Sequence, residues 1–177
     1  MSNVLIGIIG VILFIGLALA GALILGDDFR NAKSSTMSAQ VVGQMQQVVS
    51  AVNMYQLKTG VTMLAVNYPT NIATLTPRFL KSPPKGPVGD GFTTVDVNGN
   101  GTATRVDHVY VPIGATSDQN AKNACIAINE QAGATDPVAA LGPMTSAAAW
   151  GPFIAASKPM GCFTFAPNGA YLAYLKI

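Results

Sequence analysis

The chain has 177 residues, half of them apolar and only 10% charged, with ten basic against eight acidic side chains and a net charge of +2. Soluble domains carry roughly a quarter charged residues, and the mean hydropathy of +0.39 fits a membrane or fibre environment better than free solution. The length admits one globular domain plus an extension and excludes two full domains. The charges are scattered without a run, which leaves no electrostatic footprint for nucleic acid.

Val4 to Gly26, VLIGIIGVILFIGLALAGALILG, contains no charged or polar side chain over 23 residues. As a helix it is about 34 Å long against a hydrocarbon core of about 30 Å, so residues 1–28 are expected to form a transmembrane or filament-core helix. A cleavable secretory signal has a basic start and a shorter apolar core, and Met1-Ser2-Asn3 offers no basic side chain. Asp27, Asp28, Arg30 and Lys33 nearly cancel after the run, so charge does not set an orientation. Gly7, Gly10, Gly16 and Gly21 permit close approach of a second helix.

No proline occurs between Met1 and Val66, and the helix is expected to continue over 29–58. There Val41, Met45, Val48, Val52 and Tyr55 recur at alternating spacings of four and three, with Val42 and Val49 widening the stripe. Gln44, Gln46, Gln47, Ser50 and Asn53 occupy the other face. The stripe is the expected contact between this helix and a globular head spanning 59–177. Lys58-Thr59-Gly60 supplies a basic last turn and a glycine stop.

The stretch Asn67 to Gly91, with Pro69, Pro77, Pro83, Pro84 and Pro87, reads as a loop holding a short helix at Ile72 to Leu75. Phe92 to Ile113 turns to a β pattern, with Val106, Val109 and Val111 and a turn at Asn98-Gly99-Asn100-Gly101, giving two or three antiparallel strands. Gln119 to Gln131 predicts a helix capped by Ser117 or Asp118 and stopped by Gly133. Asp136 to Gly161 reads as an irregular excursion containing Trp150 and Phe153, residues that suit an exposed contact patch and a core equally. Cys162 to Phe165, a turn at Pro167-Asn168-Gly169, and Tyr171 to Ile177 form a hairpin. The fold class expected is α+β: a long N-terminal α-helix packed on an antiparallel β-sheet head with a disulfide-closed C-terminal region.

Cys125 and Cys162 are the only cysteines. With an anchor placing the head outside the cytoplasm they read as one disulfide enclosing 125–162, worth about 4 kcal/mol; the competing reading is two free buried thiols. Asp96-Val97-Asn98-Gly99-Asn100-Gly101, with Asp107 at the twelfth position, matches the start of a calcium loop through Asp96, Asn98, Asn100 and Asp107. The same Asn-Gly repeats serve an ordinary hairpin turn. The turn reading outweighs calcium, because only two carboxylates would face the ion, position twelve is Asp and the flanks look like strands, so no cofactor is expected. His108 stands in a strand without a marked nucleophile or a second carboxylate at catalytic spacing, so no enzymatic activity is expected.

The order of parts, an apolar N-terminal helix, an amphipathic continuation, a loop, an antiparallel sheet and two late cysteines, resembles the type IV pilins. It is most similar to their type IVb branch, which includes the toxin-coregulated, bundle-forming and conjugative thin-pilus pilins. The likeness in layout covers the whole chain; close residue similarity is limited to the N-terminal segment and to Ala124-Cys125-Ile126-Ala127-Ile128-Asn129. The resemblance implies a structural subunit that polymerises through its N-terminal helix into an extracellular filament used in adhesion, aggregation, conjugation or motility.

Its implied partners are identical or homologous subunits in the filament, the pilus assembly machinery, and the bacterial inner membrane before assembly. Val4, Leu5, Ile8, Val11, Ile12, Ile15, Leu19 and Leu23 are the implied filament-core residues. A leader would be removed by a prepilin peptidase and the new terminus methylated at Met1; the alternative is an initiator Met on a signal-anchored protein.

Two positions depart from the family pattern. Leu5 stands where the family has a glutamate that neutralises a neighbour's N-terminal amine, and an unpaired ammonium in an apolar core is costly. Ala22 replaces the family's helix-breaking proline. Some minor, tip-located subunits lack the glutamate, so a minor pilin or secretion-system pseudopilin is the second reading. A signal-anchored periplasmic binding module is the third.

Overall fold

The computed structural model describes residues 2–60, 70–88, 91–95, 108–145 and 158–177. It divides into two compact units, Met1–Lys33 and Ser34–Ile177. Helix α1, Ser2–Thr59, supplies all that is described of the first unit and the opening element of the second. Nothing in its sequence interrupts the backbone ladder, and it stops where expected. The Gly60 N–H donates to the Gln56 carbonyl at 2.9 Å while Gly60 turns to φ 65°, a left-handed conformation that glycine adopts without steric cost.

In the second unit, α2 (Thr70–Thr74) precedes β1 (Thr93–Val95) and β2 (His108–Ala115), then α3 (Gln119–Gln131), β3 (Pro143–Met144), β4 (Met160–Phe165) and β5 (Ala170–Lys176). Among the described residues the strands form one five-stranded sheet in the order β1-β2-β5-β4-β3. The class is α+β as expected, with α1 packed on a mostly antiparallel sheet. The expected short helix lies two residues earlier than its sequence pattern suggested, and Leu75 follows it as a buried turn residue.

The sheet is richer than two or three antiparallel strands and a hairpin. β3 lies inside the segment expected to be irregular and pairs parallel to β4, Pro143 opposite Thr164 and Met144 opposite Phe165. On β2 the register with β5 passes from Pro112–Leu172 to Gly114–Tyr171, so Ile113 is an extra residue forming a bulge. Pro112 is tolerated there because β1 reaches only His108 to Tyr110, leaving no second ladder for the missing N–H to break.

Side chains alternate across the sheet. Val109, Val111, Ile113, Cys162, Tyr171 and Ala173 join the main core, whereas Phe163, Leu172 and Tyr174 form a second cluster with Met144. That is the period of two expected for a pleated strand with both faces buried. On the main side the core is completed by Val41, Met45, Val48, Ala51 and Val52 of α1 and by Ala121, Ala124, Cys125 and Ile128 of α3. The Asp118 carboxylate caps α3 by accepting from the Asn120 N–H at 2.8 Å, and Gly133 at φ 71° closes its far end.

Three substitutions test this packing. Met45 is fully buried, so Met45→Ala should lower stability by about 2–4 kcal/mol, whereas Gln47→Ala on the exposed face should change little; chemical denaturation of the chain in detergent reads both. A Cβ on Gly161 would lie 2.6 Å from the Tyr174 hydroxyl oxygen, so Gly161→Ala should cost about 1–3 kcal/mol by forcing that ring aside.

Candidate functional site

The described side chains of the first unit run from Ile6 to Gly21 and resume at Phe29. Within the run, Ile6, Ile8, Ile9, Val11, Ile12, Leu13, Phe14, Ile15, Leu17 and Leu19 all stand open, with Phe14 74% and Leu17 73% exposed. Of the residues expected to pack a filament core, Ile8, Val11, Ile12, Ile15 and Leu19 belong to this surface. The side chains of Val4, Leu5 and Leu23 lie outside the described residues.

Ile6, Ile9, Leu13, Phe14 and Leu17 are as exposed as the expected set, so the apolar surface encircles the helix and is not one stripe. A helix apolar on every side is suited to burial on every side. Fully burying each large aliphatic or aromatic side chain is worth about 1.5–3 kcal/mol, and a continuous surface of this kind marks a place where protein or lipid belongs. Added Cβ atoms at Gly7, Gly10, Gly16 and Gly21 would meet nothing within 4 Å, which leaves these positions open to an approaching backbone. Among the described residues no helix is both long and apolar enough to cross a membrane; the described run ends at Gly21, short of the sequence run that extends to Gly26.

From Ser34 onward α1 changes character. Val41, Met45, Val48 and Val52 are wholly buried and Tyr55 is half-buried, its ring 5.7 Å from that of Phe79 in an edge-to-face contact. The expected head-contact stripe is thus in place. It also extends further back than the apolar pattern suggested, to Ser38 and Ser34, both buried. The spacings of four, three and four are kept, but the residues are small and polar. The Ser38 hydroxyl is satisfied locally by donating to the Ser35 carbonyl at 2.8 Å. The signal that would have found them is position on the 3.6-residue period, irrespective of hydropathy.

Cys125 on α3 and Cys162 on β4 form the disulfide, with their Cα atoms 5.3 Å apart, and no free cysteine remains. Both are buried, so the bond ties helix to sheet inside the core. The second unit carries two concavities. An open groove of about 560 Å³ lies between Gly43, Gln46, Gln47, Ser50 and Met54 of α1 and Phe79 to Lys81. A cavity of about 320 Å³ is lined mainly by alanines and glycine with Asn129, Lys158 and Tyr174.

His108 opens β2 opposite Lys176 and Val95. It is buried, its ring 6.3 Å from that of Tyr174, and among the described residues its Nδ1 has no hydrogen-bond partner. Burial, reinforced by the positive charge of Lys176, lowers its pKa from 6.5 to about 4. Among the described residues no group of three His, Cys, Asp or Glu side chains is placed to hold a metal ion. The calcium-loop residues Asp96, Asn98, Asn100 and Asp107 lie outside the described residues, as do Met1, Trp150 and Phe153.

No family model, curated protein or solved structure matches the chain.

A histidine whose folded pKa is depressed takes up a proton more readily when unfolded, so its contribution is complete above the unfolded value and is lost as pH falls. Stability should decline between pH 6.5 and about 4, by on the order of 1–2 kcal/mol for this group. His108→Phe should flatten that part of the profile relative to the parent chain when melting is followed across pH.

Proposed function

We propose that the chain is a fibre subunit of the type IV pilin kind, most like the type IVb branch, polymerising through its N-terminal helix. The supporting observation is the encircling apolar surface of α1 from Ile6 to Leu19, carried on the helix that from Ser34 to Val52 is built into a folded head. A simple anchor needs an apolar segment but gains nothing from continuing as one uninterrupted helix, Ser2–Thr59, into a domain core. An assembling subunit does, because the helix that makes the filament contacts is then the same element that completes the head's core. Helix packing supplies the cohesion: helices leaving lipid exchange tail contacts for close contact with one another, and in the fibre each copy keeps its neighbour's aliphatic surface from water.

On this reading the chain resides in the bacterial inner membrane before assembly and in an extracellular filament afterwards, with copies of itself, or of related subunits, as partners. Leu5 favours the finer reading of a minor or tip subunit. A neighbour's amine in the fibre interior would find a leucine in place of a carboxylate, a cost that a subunit without a neighbour above it avoids.

Electron microscopy and subunit composition of filaments sheared from cells producing the chain test the proposal. The expected result is fibres that contain the chain, as the dominant species for a major subunit and as a trace species for a tip subunit. Exclusive recovery in the membrane fraction, with an initiator Met at the N-terminus by mass spectrometry, would establish the signal-anchored module and overturn it. Ile12→Asp should abolish incorporation into fibres while leaving the head's denaturation midpoint unchanged, because the substitution places a charge in the apolar surface and touches no head residue.

A further inference from the structure

Helix α3 and strand β4 are joined at Cys162 by more than sulfur. Asn129 lies one helical turn beyond Cys125, on the same face of α3, and is 3% exposed. Its carboxamide spans the backbone of the partner cysteine: the Cys162 N–H donates to Oδ1 at 2.7 Å, and Nδ2 donates to the Cys162 carbonyl at 2.9 Å. Nδ2 also donates to the Pro137 carbonyl at 3.2 Å. An asparagine amide has two donor hydrogens and one acceptor oxygen, and each is engaged here.

Both polar groups of Cys162 thus point to the side of β4 away from β5. The neighbouring strand on that side, β3, pairs only with Thr164 and Phe165. The Asn129 carboxamide fills the next position of the ladder, acting as one peptide unit of a missing strand. Without it, two buried backbone groups would lack partners, a costly state away from water.

We propose that Asn129 is the positioning residue of the disulfide: it holds the Cys162 backbone on α3 before the sulfur–sulfur bond exists, so the reduced head keeps its α3–β4 contact and the two thiols face each other at high effective concentration. Closure with a small-molecule disulfide such as oxidised glutathione then takes two exchanges. One cysteine thiolate attacks the glutathione disulfide and releases one glutathione thiolate; the other cysteine thiolate attacks the resulting mixed disulfide and releases the second. The two cysteines are oxidised, the glutathione disulfide is reduced to two thiols, and the two protons lost by the cysteines end on them. Asn129 takes no part in the exchange. It removes the conformational freedom that the loop between the cysteines would otherwise lose at the moment of closure.

The test is the equilibrium between the full-length chain in detergent and a series of reduced and oxidised glutathione mixtures, with the oxidised fraction read by mass after thiol trapping. Asn129→Leu keeps the volume and removes the hydrogen bonds. It should lower the equilibrium constant for oxidation about tenfold to thirtyfold in native buffer and leave it unchanged in concentrated urea, where no clamp exists in either chain. Val48→Ala, which weakens the same core from α1 and removes no hydrogen bond of the Asn129 clamp, should stay within about twofold of the parent.

If Asn129→Leu does not fold, hydrogen exchange on the reduced parent chain decides, with the Cys162 amide expected to exchange at least about tenfold more slowly than an unstructured amide. An Asn129→Leu equilibrium constant equal to the parent's, an equal fall in Asn129→Leu and Val48→Ala, or an unprotected Cys162 amide in the reduced chain would each overturn the proposal.

Discussion

Every apolar side chain that the head places under its sheet has to be covered from the side opposite the strands, and the cover is made by two helices of unequal origin. α3 belongs to the head by sequence and is stapled to it by the disulfide. α1 comes from a segment that begins as an all-apolar rod, yet its Val41, Met45, Val48, Ala51 and Val52 complete the same core as Val109, Val111 and Ile113. A sheet of short strands with one face open to water would not stand alone. The burial of this stripe is the condition on which the rest of the fold depends, since it makes the second half of α1 part of a domain and not a linker.

The consequence for function follows from helix cooperativity. Extending an existing helix adds a hydrogen bond for each residue ordered, whereas starting a new one is unfavourable. Once the head has fixed the turns from Ser34 to Val52, the apolar turns before them extend a helix that is already nucleated. Their side chains, Ile6 to Leu19, are exposed in the single chain, and their chemistry defines what must surround them: other apolar helices or lipid. Association of these surfaces is the basis of the function proposed above.

Much of this was legible in the sequence because the signals are local. The glycine after Lys58-Thr59, the aspartate before α3, the glycine after it, and Pro167-Asn168-Gly169 between β4 and β5 each declare an element boundary through conformational chemistry confined to a few residues. The apolar spacing of α1 declared its buried face. What escaped depends on contacts distant in the chain. β3 is two residues long and exists only because β4 offers it a parallel edge; the bulge at Ile113 is defined by a partner some sixty positions away; Ser34 and Ser38 are buried by position despite their polarity. Asn129 carries no motif at all, and its role is visible only once Cys162 is seen to present both backbone groups to it. In the first unit the limit is of another kind: where all faces are equally apolar, hydropathy cannot single out a contact face.

The placement of β5 sets the order of events when the chain first folds. Residues 170–176 lie between β2 and β4, not at an edge, so the sheet has no middle until they are in place. The β4–β5 hairpin, closed through a three-residue 3-10 turn, is local and can form in about 1–10 μs. The β2–β5 pairing must instead close a long loop, which is the slow class of event. Until then β2 has only the three-residue β1 beside it, and its other side is the kind of exposed edge that self-associates. A nascent head of this design therefore carries an open β2 edge from the time residues 108–115 emerge until residues 170–176 pair with them.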